Sequence, residues 1–374
     1  MIISTMRAQT SLFIEPDTAS ILALLQSSLT REDTRVFLVG GFIRDGLLKE
    51  ASYDIDLAVS GNAIQLARKT ADLVAGRFIL LHENYQIARV VLTRNDRRWH
   101  LDLAALRGSI NEDLAKRDFT INAIAVDLTK LEGHLPLEDF IDPMNGIGDL
   151  KDKRIRATGD MVFREDPVRL LRAFRLAAEY GFTIEPQTES LIERDGSLIN
   201  DVSGERIREE LGRILETDRA TRSLREMDRL GLLDYLIPEL AGCKGVTQPK
   251  EHYWNVFDHS IETVAAVERL LAELKTREGF LTSFTFCDEL AGHFQQKAGG
   301  GLTRKALIKM AALLHDIAKP QTRGYDEEKE RIRFLGHAQQ GAAIAENILE
   351  GFRVRSLVKV IVRRIIDQHL RPGH

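Results

Sequence analysis

Residues 36–59 read VFLVGGFIRDGLLKEASYDIDLAV. An apolar run, Val36–Val39, ends in Gly40-Gly41, and a segment of helical period follows. Paired glycines let a backbone come close to a phosphate, and the helix N-terminus behind them offers N–H groups. Alone, this is the pattern of a tight turn. It has the spacing of neither a dinucleotide fingerprint nor a P-loop. Next, the extended run Tyr53–Val59 carries Asp54 and Asp56, whose alternation places both carboxylates on one face of a strand. Like charges held this way need a cation between them, or one must be protonated. Mg2+ suits the pair, because it takes carboxylate oxygens and shares its other positions with phosphates and water.

Working outward, Asp17–Thr30 reads as an amphipathic helix and Ala63–Ala75 as another. Ile87–Leu92, Trp99–Ala105 and Thr120–Asp127 read as strands. Asp102 alternates with Leu101 and Leu103, so it is a third carboxylate for the site if its strand lies beside the first. Three such groups could clamp the attacking and leaving oxygens of a displacement at phosphorus. Lys116-Arg117-Asp118-Phe119-Thr120-Ile121-Asn122 adds basic, carboxylate and amide groups suited to triphosphate and ribose.

After Asp142-Pro143-Met144-Asn145-Gly146 strand-like runs stop, and from Asp166 the segments are helical. Asp166-Pro167 is an ideal cap followed by Pro at the first helical position. Beyond it Arg169, Arg172 and Arg175 form one stripe, able to meet base or phosphate or to pair with local acids. The expected organisation is α+β: a mixed head over 1–150, a helical neck over 151–242 and a histidine-bearing helical region over 243–374.

Composition bounds the partners. The 374 residues suit two or three domains, and 44% hydrophobic with 29% charged residues excludes a disordered chain. Cys243 and Cys287 are too few and too far apart for a disulfide framework. The N-terminus lacks a signal peptide's apolar core, and no run is long enough to span a membrane, so the expected address is the cytoplasm. A net charge of −4 excludes a strongly basic RNA coat. Residues 151–175 nevertheless hold eight Lys/Arg against four Asp/Glu, enough for a local grip on RNA.

Taken in order, GGFIRDGLL, DID, RDFTINA, DPMNGIGDL, RIRATGDMVFREDPVRLLRAFRLA and SGERIREEL resemble the class II tRNA nucleotidyltransferase and bacterial poly(A) polymerase family. The resemblance covers roughly residues 33–240. It implies a polymerase-β-like nucleotidyltransferase head and template-independent addition to an RNA 3′ end from a nucleoside triphosphate. Mg2+ is the implied cofactor, and tRNA with CTP and/or ATP are the implied partners. Carried over by motif, Gly40, Gly41, Arg44 and Asp45 shape the triphosphate and metal site. Asp54 and Asp56 look like Mg2+ ligands, and Arg117, Asp118 and Asn122 like contacts to ribose and phosphates. Glu165, Asp166 and Arg169 match the motif whose Asp and Arg pair with the incoming base. An acceptor carboxylate beside a donor guanidinium suits cytosine and adenine and rejects uracil and guanine.

One departure is informative. The family commonly carries a longer Gly/Pro-rich loop between Asp102 and Arg117, associated with adding the final A. Here Leu106–Asn111 joins almost directly to Glu112-Asp113-Leu114, so CC addition is the expectation. Poly(A) polymerase is the alternative, separable by product length.

His259, His315-Asp316, His337 and His369 resemble the HD phosphohydrolase superfamily. His259, His315, Asp316 and His337 are the candidate ligands of a second divalent or transition metal, and phosphohydrolysis is a second alternative for the main activity. The superfamily's usual final Asp is not evident before Gly373-His374, so this region is expected to be incomplete at its C-terminus.

Overall fold

The computed structural model describes residues 12–29, 34–131, 136–249, 253–277, 279, 287–328 and 330–371. The chain end at Gly373-His374 lies outside them. The chain divides into two compact units, residues 1–162 and 163–374.

The first unit holds α1 (Pro16–Leu29), β1 (Val36–Val39), α2 (Gly41–Leu47), β2 (Asp54–Val59), α3 (Ala63–Leu73), β3 (Arg77–His82), β4 (Ile87–Arg94), β5 (Arg97–Ala105), α4 (Ile110–Ala115), β6 (Ala125–Asp127), β7 (Phe140–Ile141) and α5 (Gly146–Lys151). One sheet runs in the order β3-β4-β5-β2-β1-β6-β7. Strand β1 is apolar on both faces because both are covered, and Val36, Phe37, Leu38 and Val39 are all buried. Strand β5 alternates instead. Trp99, Leu101 and Leu103 are fully buried, which turns His100 and Asp102 to the other face. Strands β2 and β5 are parallel, and Asp56 stands directly beside Asp102.

Three local readings are corrected. Thr120–Asn122 is a 3₁₀ turn, and only Ala125–Asp127 of that run is strand. Strand β3 was not expected, because Arg77–His82 lacks alternation; it is a sheet edge with Leu80 and Leu81 exposed. In the helical region Arg323–Asp326 pairs antiparallel with Arg331–Phe334.

After α6 (Val162–Glu165), the second unit holds α7 (Arg169–Tyr180), α8 (Pro186–Asp195), α9 (Gly204–Glu216), α10 (Ala220–Arg229), α11 (Leu232–Leu236), α12 (Pro238–Ala241), α13 (Val256–Thr276), α14 (Cys287–Gln295), α15 (Arg304–Leu314), α16 (His337–Gly351) and α17 (Ser356–Asp367). Helix α9 packs on α7 and α15, and α15 packs on α13 and α17. The seams are close. A Cβ on Gly204 would strike the carbonyl oxygen of Gly351, and one on Gly212 would strike Leu302. Lys309 of α15, fully buried, donates to the Thr217 carbonyl (2.6 Å) and pairs with Glu268 of α13 (3.0 Å). No helix of the described residues is long and apolar enough to cross a membrane.

Candidate functional sites

In the head, the sheet register sets the site. Asp56 on β2 has Asp102 on one side and Val39, the last residue of β1, on the other. Gly40 follows at φ 74°, ψ −138°. A Cβ there would lie 2.7 Å from Arg117 Nη1 and 3.1 Å from Asp56 Oδ2, so the turn after β1 is where the Gly-Gly, DID and RDFTINA segments meet. Burial pushes the Asp56 carboxyl up to about 6; the Arg117 and Arg44 charges work against this, and those of Asp102 and Asp54 add to it. Asp54 is exposed and its Oδ1 lies 2.9 Å from His100 Nδ1.

Asp102 does not close on the other two carboxylates. Among the described residues, the groups of three whose ligand atoms lie within 4.8 Å of one another are both in the second unit. Asp102 is held instead by Arg89 of β4, Nε to Oδ1 and Nη2 to Oδ2, both at 2.7 Å. Its expected convergence is therefore realised in register and not in side-chain contact. Asp54 and Asp56 still fit a hard divalent cation, which would relieve a half-buried carboxylate that feels the charges of two others.

The other head residues form one chain of bonds. Arg44, buried, donates to Asp45 (2.9 Å) and to Asn122 Oδ1 (2.5 Å). Asn122 donates to Asp118 Oδ1 (2.9 Å), which also accepts from the Phe119 backbone N–H (2.8 Å). The Gly40-Gly41 turn and the RDFTINA segment are thus locked together. Arg117 leans on Asp113 (3.2 Å). Only residues 106–109 link β5 to α4, and a capping box of Ser109 and Glu112 seals that helix start.

In the second unit Asp166 is not a helix cap. Val168 occupies that position, and the helix starts at Arg169. The Asp166 carboxylate is taken in a fork by Arg206 of α9, at 2.9 and 2.8 Å. Burial alone would raise its pKa, but the Arg206 bonds and the Arg206, Arg169 and Arg172 charges hold it below the ordinary carboxylate value. Arg169 pairs with Glu165 (3.3 Å). Arg172 and Arg175 both grip Glu210 of α9, at 3.0 and 2.5 Å. Arg175 is buried and also holds Glu179 (2.8 Å), so its two carboxylate partners lie within the chain. The stripe pairs with local acids, the blander of its two readings.

The histidines do come together. Nε2 of His259 and His315 lies 3.5 and 3.0 Å from Asp316 Oδ2, and Nε2 of His337 and His369 lies 3.3 and 3.7 Å from Oδ1. Carbonyls of Ala312, Phe334 and Ile366 lie against Nδ1 of His315, His337 and His369, orienting each ring with Nε2 inward. Asp316 is buried, and its Oδ2 accepts no well-directed hydrogen bond although Lys319 Nζ is 2.7 Å away. An under-satisfied buried carboxylate ringed by imidazoles fits a divalent metal. Sequence reasoning left His369 out of the ligand set and missed Arg89, Arg206, Glu210 and Lys319. Of these only Lys319, one helical turn past Asp316, carried a local spacing signal.

Residues 36–156 match the family described as "Poly A polymerase head domain", 181–243 "Probable RNA and SrmB- binding site of polymerase A", and 256–374 "HD domain". An "A-adding tRNA nucleotidyltransferase" of Deinococcus radiodurans is 32% identical over 317 residues, 83% of this chain and 63% of that one. A "CC-adding tRNA nucleotidyltransferase" of Geobacter sulfurreducens is 33% identical over 304 residues, 81% and 64%. The chain thus spans less than two thirds of these two relatives. A "Multifunctional CCA protein" of Xanthomonas campestris pv. campestris is 30% identical over 355 residues, 90% and 76%. A solved "tRNA-processing enzyme (apo form I)" shares the fold, with a TM-score of 0.68 at 23% identity over 97% of this chain and 81% of that one.

Proposed function

The chain belongs to the tRNA nucleotidyltransferase and poly(A) polymerase family, and from that premise we propose that it adds C, with CC as the product, to the 3′ end of tRNA. CTP is the donor, pyrophosphate leaves, and no template is used. The observation that carries the transfer chemistry is the placement of Asp56 against both Asp102 and the Gly40 turn. The terminal 3′-oxygen forms a bond to the α-phosphorus as the bond to pyrophosphate breaks. Asp54 and Asp56 would hold Mg2+, which supplies charge neutralisation at the phosphates. Arg117 binds the polyphosphate, and the Arg44–Asn122–Asp118 chain fixes the segment that meets ribose. Asp166, kept ionised by Arg206, accepts from the exocyclic amine of the base while Arg169 donates beside it.

The four-residue β5–α4 link supports CC over CCA addition, because no flexible loop stands between Asp102 and Arg117. The test is extension of tRNA truncated before its last three nucleotides, with CTP and ATP given separately and together. Two C residues with no terminal A is the expected product. A completed CCA end overturns the CC reading, and a long A tail on unrelated RNA points to poly(A) synthesis.

The buried Asp316 oxygen among four imidazoles favours a second, separate activity, metal-dependent hydrolysis of phosphoesters. Purified protein should carry a divalent metal and hydrolyse bis-p-nitrophenyl phosphate. Protein with neither keeps the cluster as structure alone.

A further inference from the structure

The Arg89–Asp102 fork lies in the row that the sheet register lays across three strands. Arg89 on β4 faces Asp102 on β5, and Asp102 faces Asp56 on β2. Side chains at paired positions share a face, so the guanidinium and the two carboxylates stand abreast. Both Asp102 oxygens are engaged at 2.7 Å, the geometry in which a planar guanidinium grips a carboxylate best. The pair is about a third exposed, with Arg89 at 35% and Asp102 at 28%, so it is open to exchange of partners. A polyanion arriving at the site offers the guanidinium a stronger partner than one carboxylate.

We infer that Arg89 is a positioning residue that withholds Asp102 from the divalent cation at Asp54 and Asp56, releasing it as a ligand only when a polyphosphate draws the guanidinium away. The inference rests on the metal reading of the head. In it Asp102 is a reserve ligand, and Arg89 stands in for a second cation while the site waits for substrate.

The test is Mn2+ binding by the full chain without nucleotide, followed by electron paramagnetic resonance. The histidine cluster contributes the same background to every variant. Asp102→Asn alone should bind Mn2+ no more tightly than the native chain, because it removes a nearby negative charge and leaves the guanidinium in place. Arg89→Met should bind it severalfold more tightly, and the gain should vanish in Arg89→Met/Asp102→Asn. Arg89→Lys keeps the charge but loses the fork, so it too should bind more tightly than native protein. The inference is overturned if Arg89→Met/Asp102→Asn keeps the full gain of Arg89→Met, or if both Arg89 variants, folded by circular dichroism, bind as the native chain does. Asp54→Asn/Asp56→Asn is the control. If it keeps all native Mn2+ binding, the metal reading itself fails and takes the inference with it.

Discussion

Replacing Asp54 and Asp56 together by asparagine should lower CTP incorporation by about 1,000-fold or more, the rate equivalent of roughly 4 kcal/mol of transition-state charge stabilisation. A second readout distinguishes this from damage to the fold. In the native chain the half-buried Asp56 carboxyl is pushed up to about 6 by desolvation, with the charges of Asp102 and Asp54 adding to the effect. A carboxyl whose folded pKa exceeds its unfolded one costs stability wherever it is ionised in the folded state. With metal chelated, native protein should therefore lose stability as pH rises from about 4 to about 6 and stay at that lower level above it. The double variant escapes this cost. It should unfold at higher urea than native protein at pH 7, by about 1–3 kcal/mol, and the advantage should disappear near pH 4. A variant with no activity but greater stability marks carboxylates placed for chemistry at the expense of the fold. One that keeps a tenth or more of native incorporation sinks the assignment of these residues.

Gly40→Ala should damage both the stability of the head and its proposed chemistry. The methyl group would sit 2.7 Å from Arg117 Nη1 and 3.1 Å from Asp56 Oδ2. The backbone at φ 74°, ψ −138° also disfavours any side chain. Arg117 is a flexible arm and can retreat, but the strain remains, at about 1–3 kcal/mol. The retreat itself moves the Arg117 guanidinium, proposed to bind phosphate, away from Asp56. Thermal melting should fall by several degrees, and incorporation should fall by about 100-fold, the scale of a misplaced group near a reaction centre. Gly41→Ala is the comparison. The atoms nearest to its Cβ would be those of the Arg44 side chain, at 3.2 Å or more, and its effect should be smaller on both counts. Equal effects at the two positions would remove the special role given to Gly40.

What the sequence disclosed followed from how far each partner lay along the chain. Asp54 and Asp56 were visible because strand alternation is local, and Asp102 because its own strand alternates between buried and open positions. The short β5–α4 link was visible as a plain count of residues. Arg89 was not, since its pairing with Asp102 is created by the β4–β5 register and by nothing in its neighbourhood. The misread cap shows the same limit. Asp166-Pro167 has the local chemistry of a helix start, but Arg206, 40 residues away, claims the carboxylate. A two-point ion pair outcompetes one cap bond, and the helix begins later, at Arg169. In the histidine region the order of residues was legible, whereas the joining of His369 to His337 across 3.3 Å depended on how α16 and α17 pack.

The close seams around α9 bear on what this protein can lose. The helix whose Arg206 steadies Asp166 leans on α15, and a bare glycine brings it against the Gly351 carbonyl. Lys309, fully buried, ties the end of the same helix to α13 by donating to the Thr217 carbonyl and pairing with Glu268. A chain cut before the histidine region would expose that seam and leave the Thr217 carbonyl without its lysine, so helices α7 and α9 would lose their footing. Descent with modification can therefore erase the histidine chemistry far more easily than the histidine-bearing helices. In a lineage where the cluster hydrolyses nothing, the ligands should drift while the glycines and the buried lysine stay.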